Sequence, residues 1–169
     1  MNTRAPGVST GEVALREVTP LDLPSLFEHQ LDEAAIHMAA FTSDDPADRD
    51  AFMAHWATVL GDTTITKMTV LVDRCVAGHV VSFDRFGQPE VSYWIGKGYW
   101  GKGVASKALS LLLHQLKPRP LYARAVKDNV ASIRVLEKCG FTISGEDRGF
   151  ANGRGAEVEE FILKLGGSP

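Results

Sequence analysis

One stretch constrains this chain more than any other: Tyr93-Trp94-Ile95-Gly96-Lys97-Gly98-Tyr99-Trp100-Gly101-Lys102-Gly103-Val104-Ala105. A β-rich run ends in a glycine-rich turn, and a helical pattern begins at once. Glycine lets a backbone approach a ligand closely and take positive φ. The first N–H groups of a helix lack partners within it, and the helix dipole adds positive potential there. Strand, glycine turn and helix start together make a site for phosphate groups, with Lys102 adding charge at its edge. Spacing alone leaves a plain strand–helix turn open as well. The Gly-Lys-Ser/Thr ending of a P-loop is missing. The third glycine and downstream acid of the dinucleotide fingerprint are out of place.

The flanking sequence alternates strands with helices. Residues 1–10 read as a mobile tail. A first strand is expected at Val13 to Val18, then a helix opened by Thr19-Pro20 and running to about Leu31. Asp32 to Asp45 reads as a loop with a short helical turn, and Ser43-Asp44-Asp45-Pro46 as the start of a helix carrying Phe52, Trp56, Val59 and Leu60. Strands follow at Thr64 to Val72, Cys75 to Asp84 and Glu90 to Ile95, with Gly78 marking a bulge. Then come a helix (Ala105 to Leu116), a strand (Leu121 to Val126), a helix (Ala131 to Lys138) and a strand (Phe141 to Ser144). A flexible hairpin connection, Gly149 to Gly155, leads to a last strand, Val158 to Leu165. The order is that of a mixed α/β (α+β) domain: one mostly antiparallel sheet of about six to seven strands with about four helices.

The length of 169 residues suits one domain, expected over residues 11–169. A net charge of −3 gives no general attraction to nucleic acid. The first residues lack the apolar core of a signal peptide, and no apolar run approaches the roughly 18 residues that span a bilayer. No membrane association and a cytoplasmic location are therefore expected. Cys75 and Cys139 do not make a disulfide framework and read as buried, reduced filler. His29, His37, His55, His79 and His114 show no paired ligand spacing, so no metal is expected.

The glycine stretch resembles the pyrophosphate loop of the GNAT superfamily of N-acetyltransferases, whose pattern is Gln/Arg-x-x-Gly-x-Gly/Ala. Gly103 and Ala105 match it, while Trp100 stands where Gln or Arg is usual and cannot supply that side chain's hydrogen bonds. A second stretch, Asn129-Val130-Ala131-Ser132-Ile133-Arg134-Val135-Leu136-Glu137-Lys138-Cys139-Gly140-Phe141, resembles the Asn-x-x-Ser-x-x-x-Leu-Glu-Lys-x-Gly-Phe signature of the Rim-type (RimJ/RimL) branch. Asn129 is also a good helix cap and Gly140 a good helix stop.

The resemblance implies the GNAT fold and acetyl-CoA as co-substrate. The cofactor would lie against Tyr93, Trp94 and Ile95 of the strand. It would continue over the loop and helix start at Trp100, Gly101, Lys102, Gly103, Val104, Ala105 and Ser106. Asn129, Ser132 and Lys138 would flank its arm. It further implies direct attack of a primary amine on the thioester in a ternary complex, the carbonyl polarised by a backbone N–H near Ile95. Glu90, on the same strand face as Ser92 and Trp94, is the candidate base, with Asp84 and Glu33 as alternatives. Many members protonate the thiolate with a tyrosine four residues after the Ser132 position. Here that residue is Leu136, which leaves Ser132 as the candidate donor.

The acceptor groove implied by the fold falls between Glu28 and Trp56. Met38 to Phe41 and Trp56 offer it an apolar wall; Asp32, Glu33, Asp44 and Asp45 offer charge for a cationic amine. Each also reads as core or solvated loop. The acceptor amine is a protein N-terminus or a small molecule, and members are often homodimers. A non-catalytic acyl-CoA sensor on the same fold is the alternative.

Overall fold

The computed structural model describes residues 11–166. Alternating apolar residues set its strands. Thr66–Val72 (β2) and Cys75–Arg85 (β3) close into a hairpin over Asp73 and Arg74, both left-handed at φ 48° and 70°. That sense of turn matches the strand twist. Val13–Glu17 (β1) pairs with β2, and Gln88–Ile95 (β4) with β3. The β2–β3 register slips between Val70 and Leu71, opposite Gly78. A Cβ on Gly78 would collide with the carbonyl oxygen of Trp94, so only glycine lets β4 lie so close.

Leu121–Val126 (β5), Thr142–Ala151 (β6) and Ala156–Leu165 (β7) complete one seven-stranded sheet in the order β1-β2-β3-β4-β5-β7-β6. Every neighbouring pair is antiparallel except β4–β5, which is parallel and bridged at Glu90–Tyr122.

Among the described residues, five α-helices cover the sheet: Leu23–Gln30 (α1), Glu33–Ala39 (α2), Arg49–Gly61 (α3), Val104–Gln115 (α4) and Val130–Lys138 (α5). On one face Ala108, Leu109 and Leu112 of α4 and Leu136 of α5 pack on Val91 and Ile95. Leu109 is fully buried, so its truncation to alanine would cost about 2–5 kcal/mol. Phe27 of α1 and Phe52 and Trp56 of α3 cover the other face, with Val81.

Several expectations change. Glu33–Ala39 is a helix rather than a loop, because Asp32 caps it by accepting from the Ala35 N–H at 2.9 Å. The next helix starts at Arg49, capped by Asp48, and not after Ser43. The described residues accordingly hold five α-helices where about four were expected. β6 runs to Ala151, so the connection to β7 shrinks to residues 152–155. That turn is anchored, not loose: Gly153 N–H donates to the Ala40 carbonyl at 2.8 Å, and Asn152 Nδ2 to that of Thr42 at 2.8 Å. Cys75, at the mouth of the β2–β3 turn, is exposed, and Cys139 is half-buried. The expected tail, residues 1–10, lies outside the described residues.

Candidate active site

The parallel pair β4–β5 opens a gap beyond Glu90. Gly96 N–H donates to the Ala77 carbonyl of β3 at 2.8 Å. Strand alternation then turns the amides of Trp94 and Ser92 toward β3, and those of Tyr93 and Ile95 toward the gap. No β5 residue is paired with Tyr93 or Ile95, so their N–H groups face the opening. A cavity of about 1000 Å³ runs from the glycine loop through this gap to the β3–β4 hairpin.

Gly101 and Gly103 shape the loop end at φ 73° and 76°, a region costly for side chains with a Cβ. Gly103 immediately precedes α4, and both glycines line the cavity with Val104, Ala105 and Ser106. The N–H groups at a helix start lack partners within the helix, and such a position favours anions. Lys102 and Lys138 are exposed and do not line the cavity. Trp100 lines it, and its indole N–H donates to the Ile95 carbonyl at 2.8 Å. Tryptophan thus does supply a hydrogen bond here, tying the loop to the end of β4.

Tyr93 and Ser132 meet inside the cavity, hydroxyl to hydroxyl at 2.8 Å. Burial is the main influence on the Tyr93 phenol and pushes its pKa above the ordinary value. Asn129 lines the cavity too, but its amide is engaged by the protein. Its Oδ1 accepts from the Ser132 N–H at 3.2 Å, capping α5, and its Nδ2 donates to the Met38 carbonyl at 3.2 Å. Helix α5 is thereby joined to α2.

Register places Phe83, Glu90, Arg124, Glu160 and Asp147 on one sheet face, across β3, β4, β5, β7 and β6. Ser92 and Trp94 share that face, as their spacing implied. Arg124 is central: it donates to Asp147 at 2.7 Å, Glu160 at 2.8 Å and Glu90 at 3.3 Å. Arg85 reaches Glu90 at 3.4 Å. Burial raises the pKa of the Glu90 carboxyl, against the pull of both guanidinium groups. Asp84 and Glu33 are exposed and outside the cavity. Sequence reasoning missed Arg124, Glu160 and Asp147, since only strand register brings them beside Glu90.

The wall facing this row comes from α2: Ala35, Met38, Ala39 and then Phe41. Ala40, at φ 62° and ψ −61°, makes a tight γ-turn, with Phe41 N–H bonded to the Ala39 carbonyl at 2.7 Å. Trp56 packs into the core beside Phe52 instead of lining the cavity. Asp32, Glu33, Asp44 and Asp45 do not line it either. Among the described residues, no group of three or more His, Cys, Asp or Glu is placed to hold a metal ion, and no helix is long and apolar enough to cross a membrane.

Known proteins share this architecture. RimJ of Mycobacterium smegmatis, solved in complex with CoA-disulfide, superposes with a TM-score of 0.75 at 20% identity, covering 92% of this chain and 82% of that one. The spermidine N-acetyltransferase of Vibrio cholerae, solved with CoA and spermine, does so with a TM-score of 0.75 at 18% identity, covering 90% and 95%. At such identities these likenesses show the fold. In sequence, the chain is 28% identical over 83 residues to the uncharacterized N-acetyltransferase p20 of Bacillus licheniformis, a match spanning 47% of each chain and thus about half the relative's length. Residues 12–142 match the acetyltransferase (GNAT) domain, and the chain belongs to that family.

Proposed function

We propose that this chain transfers the acetyl group of acetyl-CoA to a primary amine in one step, within a ternary complex. The observation that carries the reading is the pair of outward amides at Tyr93 and Ile95, opening on a cavity that begins at the glycine loop. Gly101, Gly103 and the first turn of α4 would hold the pyrophosphate. The Ile95 N–H would face the thioester carbonyl and stabilise negative charge as it develops there.

The amine nitrogen forms the new N–C bond as the C–S bond breaks. Tyr93, hydrogen-bonded to Ser132, gives its proton to the departing thiolate. Its raised pKa keeps it protonated at neutral pH. Glu90 takes the proton released by the amine. Glu90 and Ile95 are separated by roughly 16 Å of strand, so that proton passes through water.

Calorimetric titration with acetyl-CoA, using ATP as control, tests the reading. Binding of acetyl-CoA alone, followed by amine-dependent thiol release, is the expected result. Binding of neither, by folded protein free of co-purified CoA, would sink it. The pairing of Glu90 with two guanidinium groups favours one second reading, an acyl-CoA sensor. Binding without thiol release on any primary amine would select that reading.

A further inference from the structure

Helix α2 walls the cavity opposite Glu90 and Arg124, yet its seven residues are too few for a helix to persist unaided. The last carbonyls of a helix have no partners within it. Here two side chains from distant parts of the chain take them. Arg154 Nε donates to the His37 carbonyl at 2.6 Å, and Asn129 Nδ2 to the Met38 carbonyl at 3.2 Å. Arg154 stands outside the cavity, whereas Asn129 lines it.

Asn129 is joined to the reacting end as well. Its Oδ1 accepts from the Ser132 N–H at 3.2 Å, and the Ser132 hydroxyl meets that of Tyr93 at 2.8 Å. Three hydrogen bonds thus lead from β4, through the first turn of α5, to the last turn of α2. Tyr93, Ser132, Asn129 and Met38 all line the cavity. Whatever fills the gap beside Ser132 and Asn129 therefore restrains the turn from which α2 is held. The resemblance gives Asn129 to the cofactor arm, but its oxygen and one of its N–H groups are committed within the protein.

We propose that Asn129 is a positioning residue for the acceptor: it transmits occupancy of the cofactor cavity to α2, so that acetyl-CoA in the gap fixes the wall against which the amine is held. The inference rests on the acetyltransferase reading. Coupling between two sites is a free energy, and it needs a connected element with two arrangements. Helix α2, fixed or loosened at its last turn, is that element.

Amide hydrogen exchange of the full chain, with and without acetyl-CoA, tests the proposal. In the wild type acetyl-CoA should slow exchange across residues 33–42 by about tenfold, and by clearly more than across α3, which does not line the cavity. Asn129→Asp keeps an oxygen to cap α5 but cannot donate to Met38. It should bind acetyl-CoA with near wild-type affinity in the calorimeter and lose the slowing across residues 33–42. Asn129→Ser caps α5 with a hydroxyl too short to reach Met38; it should behave alike, and it keeps the test usable if Asn129→Asp misfolds. A residue that only caps α5 would leave the slowing intact in both variants, and that result overturns the proposal. So does acetyl-CoA binding to the wild type without slower exchange in α2, or with equal slowing in α2 and α3. Loss of acetyl-CoA affinity in both folded variants overturns it too, by giving Asn129 to the cofactor directly. Absence of acetyl-CoA binding to the wild type overturns the transferase reading itself, and the proposal with it.

Discussion

The phenol oxygen of Tyr93 and the hydroxyl oxygen of Ser132 lie 2.8 Å apart, joining β4 to the first turns of α5. A phenol thus reaches the start of α5 from β4, although Leu136 occupies the position where the resemblance implies a tyrosine in many members. Tyr93→Phe keeps the ring and removes the proton. Turnover should fall about 100-fold, within the usual range for a lost general acid. Acetyl-CoA affinity should stay near the wild-type value. Single-turnover thiol release with calorimetry reads both, and full activity in Tyr93→Phe would remove the tyrosine from the mechanism.

Glu90 works as a base only when deprotonated, so the rate should rise with pH through its raised pKa and then level off. Glu90→Gln should keep acetyl-CoA binding and lose that limb. Arg85 pulls the Glu90 pKa down. Arg85→Ala should therefore move the limb to higher pH. A profile identical to wild type in both variants excludes Glu90 as the base.

Gly103 sits at φ 76° directly before α4. Gly103→Glu adds backbone strain and a negative charge where the phosphates would lie. Acetyl-CoA binding should disappear from the calorimeter, with thermal unfolding still cooperative. Wild-type affinity in this variant would move the phosphate site elsewhere.

Arg154 holds two segments at once. Its Nε donates to the His37 carbonyl at 2.6 Å, and its two terminal nitrogens grip Asp128 at 2.8 and 2.9 Å. Helix α2 has seven residues, too few to persist without such tethers. Arg154→Ala should loosen it by about 1–3 kcal/mol. Amide hydrogen exchange across residues 33–42 should quicken at least tenfold while α4 stays protected. Unchanged exchange there would show that the tether is dispensable.

His79 sets an acid limit on the fold. Burial, with His29 and His55 nearby, lowers its pKa from 6.5 to about 4. Between those values the unfolded chain binds a proton that the folded protein refuses. Its contribution is intact above pH 6.5 and is lost as pH falls through the window, on the order of 3 kcal/mol in all. His79→Phe, beside Trp56, should flatten the stability profile between pH 6.5 and 4 in urea titrations. An unchanged acid limb would assign the effect to other groups.

Local signals carried most of the fold. Leu121–Val126 stands where its apolar pattern put it, and Gly103 opens α4 as a glycine before a helix should. Helix α2 was hidden because Ala34 to Phe41 has no clean period; its ends are held by Asp32 and by residues 91 to 117 positions away. The same limit governs the site. Glu90, Ser92 and Trp94 share a face by simple alternation, which a single strand displays. Arg124, Glu160 and Asp147 join them only through pairing across β5, β7 and β6, and the carbonyl that Trp100 holds is set by how the loop folds back.

The lone rung at Glu90–Tyr122 gives the molecule a seam. Strands β1 to β4 lie on one side of it and β5, β7 and β6 on the other. A ligand seated in the opening would be a strut between the two halves, bonded to the loose edge of one and packed on the other. Occupancy should then sharpen melting as well as raise its midpoint, because halves free to part separately would be made to part together.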